Sequence, residues 1–219
     1  MNAPSGKPHP PAPATWATYV QSIGDRSGLF AALAQAWAPT RALYPGSYLD
    51  VSSSAAIPSV TYVDVDRRAA RYFANHELVA SQLEGRTGAS REAEVAFLHS
   101  DYTRPLPLPH AAFDLLISLY AGPVWDHCQQ HLKRDGLLLA NASHGDASLA
   151  ALDPRLELVA AVHQRGDEYR LDHNALDSYL TPKKPISADP RLIRRSGRGI
   201  AYTRTAFAYL FRLNAPRPR

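Results

Sequence analysis

A single cysteine, Cys128, among 219 residues leaves no possibility of an intrachain disulfide. A lone thiol suits a reducing compartment, so a cytoplasmic protein is the first expectation. No apolar run approaches the roughly 20 residues that cross a bilayer, which argues against a membrane partner. The N-terminal stretch lacks the apolar segment of a secretory signal and is rich in proline instead. A Gly-x-Ser-x-Gly elbow is absent, and Ser143, His144 and Asp146 lie too close together to form a hydrolase triad. The glycine-rich dinucleotide fingerprint is missing too, which weighs against a dehydrogenase. His127 and His131 stand four apart on an expected helix, the spacing of a metal pair. Val124, Cys128 and Leu132 form an apolar stripe there that explains Cys128 as packing, and no further ligand has convincing spacing, so no metal is expected.

What is present suits one sizeable globular domain: 45% of residues are hydrophobic and the net charge is +4. Residues 1–14 read as a disordered proline-rich leader and 15–219 as a single domain with an N-terminal helical cap. Much of the positive excess is scattered through the last quarter, from Arg191 to Arg219. A nucleic-acid surface favours a concentrated basic face with stacking aromatics. Tyr202, Phe207, Tyr209 and Phe211 have the pattern of strand residues, so a solvated basic surface is the simpler reading and nucleic acid is disfavoured.

Helices are expected at 15–23 and 28–37, the second closed by Pro39. Strands follow at 42–44, 60–63, 94–98, 113–117 and 137–141, with helices at 67–83 and 122–133 between them. Asp135-Gly136 should stop the last helix, and Gly85, Gly88 and Ser90 mark a loop. Segments 156–162, 169–171 and 205–213 are candidates for the closing strands, with a short helix and an insertion within 175–200. Strands alternating with helices predict an α/β, doubly wound, mostly parallel sheet of seven strands, with an antiparallel element near the C-terminus. Such a sheet binds ligands outside its strand carboxyl ends, where the strand order reverses.

Phe113-Asp114-Leu115-Leu116-Ile117-Ser118 and Leu132-Lys133-Arg134-Asp135-Gly136-Leu137-Leu138-Leu139 are similar to the fourth-strand motif and the turn into strand five of class I S-adenosylmethionine-dependent methyltransferases. The resemblance spans about Arg41 to Ser143 and rests on ordered spacing. The phrases Leu43 to Ser47 and Asn141 to Asp146 resemble a divergent, poorly characterised bacterial branch. It implies a Rossmann-like fold, S-adenosylmethionine as cofactor, and methyl transfer to a small-molecule acceptor. Where the family's first loop reads acid-x-Gly-x-Gly-x-Gly, this chain has Tyr44-Pro45-Gly46-Ser47-Tyr48-Leu49-Asp50, with one glycine and a ring at Tyr48. A non-catalytic binding or scaffold protein with a degenerate cofactor loop is the alternative this departure motivates.

The resemblance puts Tyr44, Gly46, Ser47, Asp64, Asp101, Tyr102 and Ser118 at the cofactor. Asp64, 18 positions after Gly46, is placed for ribose hydroxyls, against the plainer role of capping a turn. Asp101 would approach the adenine amino group or simply shape a turn, and Tyr102 would flank the adenine ring or merely pack. Asp66 reads as a helix cap, and Asp114 as a structural hydrogen-bonding group. Tyr120, Asn141 and Asp146 face the acceptor side. His144 is the candidate base, because a neutral histidine can take a proton from an incoming nucleophile; a solvated loop histidine is its ordinary alternative.

Overall fold

The structure is a computed structural model describing residues 16–84, 93–184 and 188–214. The expected leader at 1–14 and the loop marked by Gly85, Gly88 and Ser90 lie outside the described residues. Two helices lead the chain, α1 (Trp16–Ile23) and α2 (Ser27–Trp37). Leu29, Phe30 and Leu33 form the buried stripe of α2, which ends on Ala38 in a left-handed conformation (φ 47°) just before Pro39.

Strands β1 (Arg41–Pro45), β2 (Ser59–Asp64), β3 (Glu94–His99), β4 (Phe113–Ser118) and β5 (Leu132–Ala140) pair in parallel. Strands β6 (Leu156–Arg165) and β7 (Glu168–Asp172) make an antiparallel hairpin, and β8 (Ala208–Leu213) runs antiparallel between β5 and β6. The sheet order is β3-β2-β1-β4-β5-β8-β6-β7. The sheet is thus doubly wound and mostly parallel, with eight strands where seven were expected; β7 extends the edge because Gly166, at φ 60°, turns the chain back on β6. Central strands read as continuous apolar runs because both faces are covered. Leu115, Ile117, Leu137 and Leu139 face one core cluster, and Leu116, Leu138 and Ala140 face the other.

Two expected helices are corrected. The run 67–83 is two helices, α3 (Arg67–Phe73) and α4 (His76–Leu83). Asn75 divides them: its side chain accepts from the Leu78 amide and starts a new helix N-terminus. The helix at 122–133 is only α5 (Val124–Cys128), followed by a 3₁₀ turn at Gln129–His131. Here long-range bonds override the local signal: Ala111 and Ala112 donate to the carbonyls of Gln130 and His131, and buried His131 contacts the Pro109 carbonyl at 3.1 Å. Residues Lys133 to Gly136 therefore belong to β5, whose register against β4 slips between Phe113 and Leu115, with Asp135 at φ 61°. Asp135-Gly136 is a strand irregularity and not a helix stop. The chain completes with α6 (Asp146–Leu152) and α7 (Pro190–Ser196).

Candidate functional site

The sheet order reverses between β1 and β4, which part company beside β2 and β5. The carboxyl ends of β1 to β5 accordingly present Gly46, Asp64, Asp101, Ser118 and Asn141 along one edge. After β1 the chain turns sharply: Gly46 adopts φ 67° and Tyr48 φ 48°. The turn is held by Asp64 at the end of β2, whose carboxylate accepts from the Tyr48 amide and the Asp66 amide, each at 2.8 Å. Asp66 caps α3 by accepting from the Arg68 amide at 2.7 Å. A ring at Tyr48 is accommodated because it turns onto α1 and meets Tyr19 edge-on at 5.4 Å between centroids.

Beneath this loop lies a buried polar group. Arg26 and Asp50 form an ion pair at 2.8 Å with 3% and 0% of their side chains exposed. The Tyr44 hydroxyl donates to the same carboxylate at 2.9 Å, and Ser52 donates to it through both its amide and its hydroxyl. Burial, then the neighbouring Asp50 charge, pushes the Tyr44 hydroxyl well above its ordinary range. The phenol therefore stays protonated and binds Asp50 as a donor. Tyr44 lies within the core under the loop, 1% exposed. Arg26 carries no sequence signal of this role, since its partner is 24 residues away and no local pattern joins them.

The connection from β4 to α5 covers the loop. A Cβ placed on Gly46 would stand 2.7 Å from the Ala121 Cβ and 3.5 Å from the Tyr102 ring. The Tyr102 hydroxyl accepts from the Gly122 amide at 3.0 Å, joining the ends of β3 and β4. Asp101 is committed to a turn, accepting from the amide and hydroxyl of Thr103; those two bonds lower its pKa. Asn141 ties the ends of β4 and β5, its side-chain oxygen accepting from the amides of Tyr120 and Ser143, both at 3.3 Å. His144 is exposed at φ 55° on the rim.

Asp146 is the unusual group. It is fully buried, and neither carboxylate oxygen has a well-formed hydrogen bond among the described residues. Burial raises its pKa to about 7, opposed by the Ser118 hydroxyl and the amides of Trp125 and Val124 that face it. Its neighbour Cys128, raised to about 12 by burial and then by Asp146, is inert packing in the core. Asp114 stands apart at the amino ends of the strands. Its carboxylate joins Thr40, the Arg41 amide and Lys133, tying the start of β1 to β4 and β5.

The structure thus brings Gly46, Ser47, Asp64, Tyr102 and Ser118 to one edge, with Asn141 and Asp146 beside them. A ribose could use Asp64, because each carboxylate oxygen retains a lone pair after accepting one amide. The Ser47 hydroxyl, buried and without a hydrogen-bond partner among the described residues, adds an unspent polar group at the loop. These residues fit a nucleoside with a polar tail, although the Gly46 face is covered by Ala121 and would have to be uncovered first.

No protein-family model matches the chain, and no curated protein matches it. Among solved structures it is similar to a putative O-methyltransferase from Klebsiella pneumoniae, with 13% identity over 88% of this chain and 81% of that one and a TM-score of 0.49. It is also similar to the N-methyltransferase NodS from Bradyrhizobium japonicum, with 13% identity, 90% and 97% coverage and a TM-score of 0.45. A third is the 16S rRNA methylase RmtB, with 16% identity, 71% and 64% coverage and a TM-score of 0.46. The strand order, with the antiparallel strand β8 between β5 and β6, is that of a doubly wound, Rossmann-like sheet.

Proposed function

We propose that this chain binds S-adenosylmethionine at the carboxyl ends of β1 to β4 and transfers its methyl group to an acceptor. The observation behind this reading is Asp64, which ends β2 beside the reversal of strand order and fastens the first loop through the Tyr48 amide. In this reading Asp64 accepts from the ribose hydroxyls and Tyr102 flanks the adenine. Ser47 and Gly46 lie along the amino-acid tail, and Ser118 lies near the reacting end. The cofactor, when bound, supplies an activated methyl on a good leaving group. The protein's part is to hold the acceptor in line with it and to exclude water. Asn141 fixes the two loops that flank the acceptor. His144, on the rim, takes the proton from an acceptor that carries one.

A non-catalytic descendant is the competing reading, and one observation favours it: Ala121 and the Tyr102–Gly122 bond cover Gly46. Calorimetry with S-adenosylmethionine, S-adenosylhomocysteine and NAD separates the two. The expected result is binding of the first two and not of NAD. Asp64→Ala should weaken that binding about tenfold or more, while Asp66→Ala, which loses only a helix cap, leaves it within about threefold. Absence of binding, or an unchanged affinity in Asp64→Ala, would overturn the assignment.

A further inference from the structure

Six side chains from six separate segments meet beside the covered loop. They are Tyr19 on α1, Arg26 between α1 and α2, Tyr48 after β1, Tyr120 after β4, Tyr169 on β7 and Phe207 before β8. Arg26 is the hub. Its guanidinium lies 4.8 Å from the Tyr120 ring centroid, and its charge is felt by Tyr19 and Tyr169. Phe207 bridges the rings, edge-on to Tyr120 at 6.5 Å and to Tyr169 at 5.4 Å.

Packing of the helical cap on the sheet accounts for the half-buried rings. It does not account for Tyr120, which is 52% exposed and held at φ 59°. An aromatic residue in the left-handed region costs conformational energy, and an exposed ring gains little burial to offset it. The group also has no net charge to offer, because Asp50 neutralises Arg26 at 2.8 Å. Burial, then the Asp50 charge, keeps the Tyr19 phenol protonated to about pH 12.

We propose that this cluster is a binding subsite for a neutral, planar aromatic ring. The ring stacks on the exposed Tyr120, with edge contacts from Phe207 and Tyr169, as offset and edge-to-face geometry favours. Carboxylates and ammonium groups are disfavoured because the Arg26–Asp50 pair is already neutral and buried. The proposal rests on the methyl-transfer reading only in making this ring the acceptor; the binding itself needs no cofactor.

The test uses the full chain and 2-naphthol as probe, followed by saturation-transfer NMR titration, with cyclohexanol and benzyltrimethylammonium as controls. Saturable binding of 2-naphthol and none of the controls is expected. Tyr120→Ala should weaken it about tenfold with an unchanged melting temperature, and Tyr120→Phe should restore it. Absence of saturable binding, equal binding by Tyr120→Ala, or preference for the ammonium probe would overturn the proposal. Because S-adenosylmethionine binding is measured separately, a chain that binds cofactor but not naphthol refutes this subsite alone. A chain that binds naphthol but no cofactor keeps the subsite and refutes the methyl-transfer reading.

Discussion

Replacing Asp146 by Asn should stabilise the protein at alkaline pH and make no comparable difference in acid. The carboxyl group is fully buried, and its pKa rises from 3.8 to about 7. Between those two values the unfolded chain releases the proton while the folded chain keeps it. Folding then takes up a proton, so stability falls as pH rises through this window. The slope is about 1.4 kcal/mol per pH unit, so a rise of about three units costs about 4 kcal/mol by neutral pH, and the cost levels off above pH 7. Asparagine has the shape of the protonated acid and cannot ionise, and the Ser118 hydroxyl and the amides of Trp125 and Val124 remain around it. Urea unfolding of both proteins at half-unit steps from pH 4.5 to 8.5 measures the effect. The difference in unfolding free energy should grow steadily in favour of Asp146→Asn up to pH 7 and then flatten. Two parallel curves would show that Asp146 is ionised in the folded protein, and the account of its burial would fail.

Three further perturbations have definite outcomes. Asp114→Ala removes the acceptor shared by Thr40, Arg41 and Lys133, and should cost about 1–3 kcal/mol in urea unfolding. Burial alone would raise the Asp114 pKa, but Lys133, Thr40 and the Arg41 amide outweigh it and hold it to about 2. Its contribution is therefore present above pH 3.8 and lost as pH falls toward 2; a loss that persists undiminished at pH 2 would refute this. Gly46→Ala should destabilise by about 1–2 kcal/mol from its left-handed backbone alone. Contact with Ala121 adds to that loss, and Ala121→Gly should recover only the second part in a double-mutant cycle. Tyr48→Gly should leave S-adenosylmethionine affinity within about threefold by calorimetry, because the ring packs on Tyr19. A large gain would show that the ring obstructs the site.

Local pattern in the chain determined much of this protein. Apolar runs bounded by turn residues marked the central strands β1, β2, β4 and β5, since a strand covered on both faces must be continuously hydrophobic. The helix cap at Asp66 and the packing role of Cys128 were legible for the same reason: each depends on neighbours within a turn of helix. Where the chain's local preference met long-range bonds, the tertiary structure decided. The helix expected over 122–133 yields after Cys128 because Pro109, Ala111 and Ala112 hold the next residues beside β4. The same holds at the site. Asp64 could be placed by its position at a strand end, but that it also fastens Tyr48 follows from the turn after β1. Arg26 and Asp50, Ala121 over Gly46, and the unsatisfied carboxylate of Asp146 arise from separate segments packed together. Periodicity is a property of neighbouring residues, whereas desolvation, ion pairing and steric closure are properties of what surrounds a group in space. Only the folded chain supplies those surroundings.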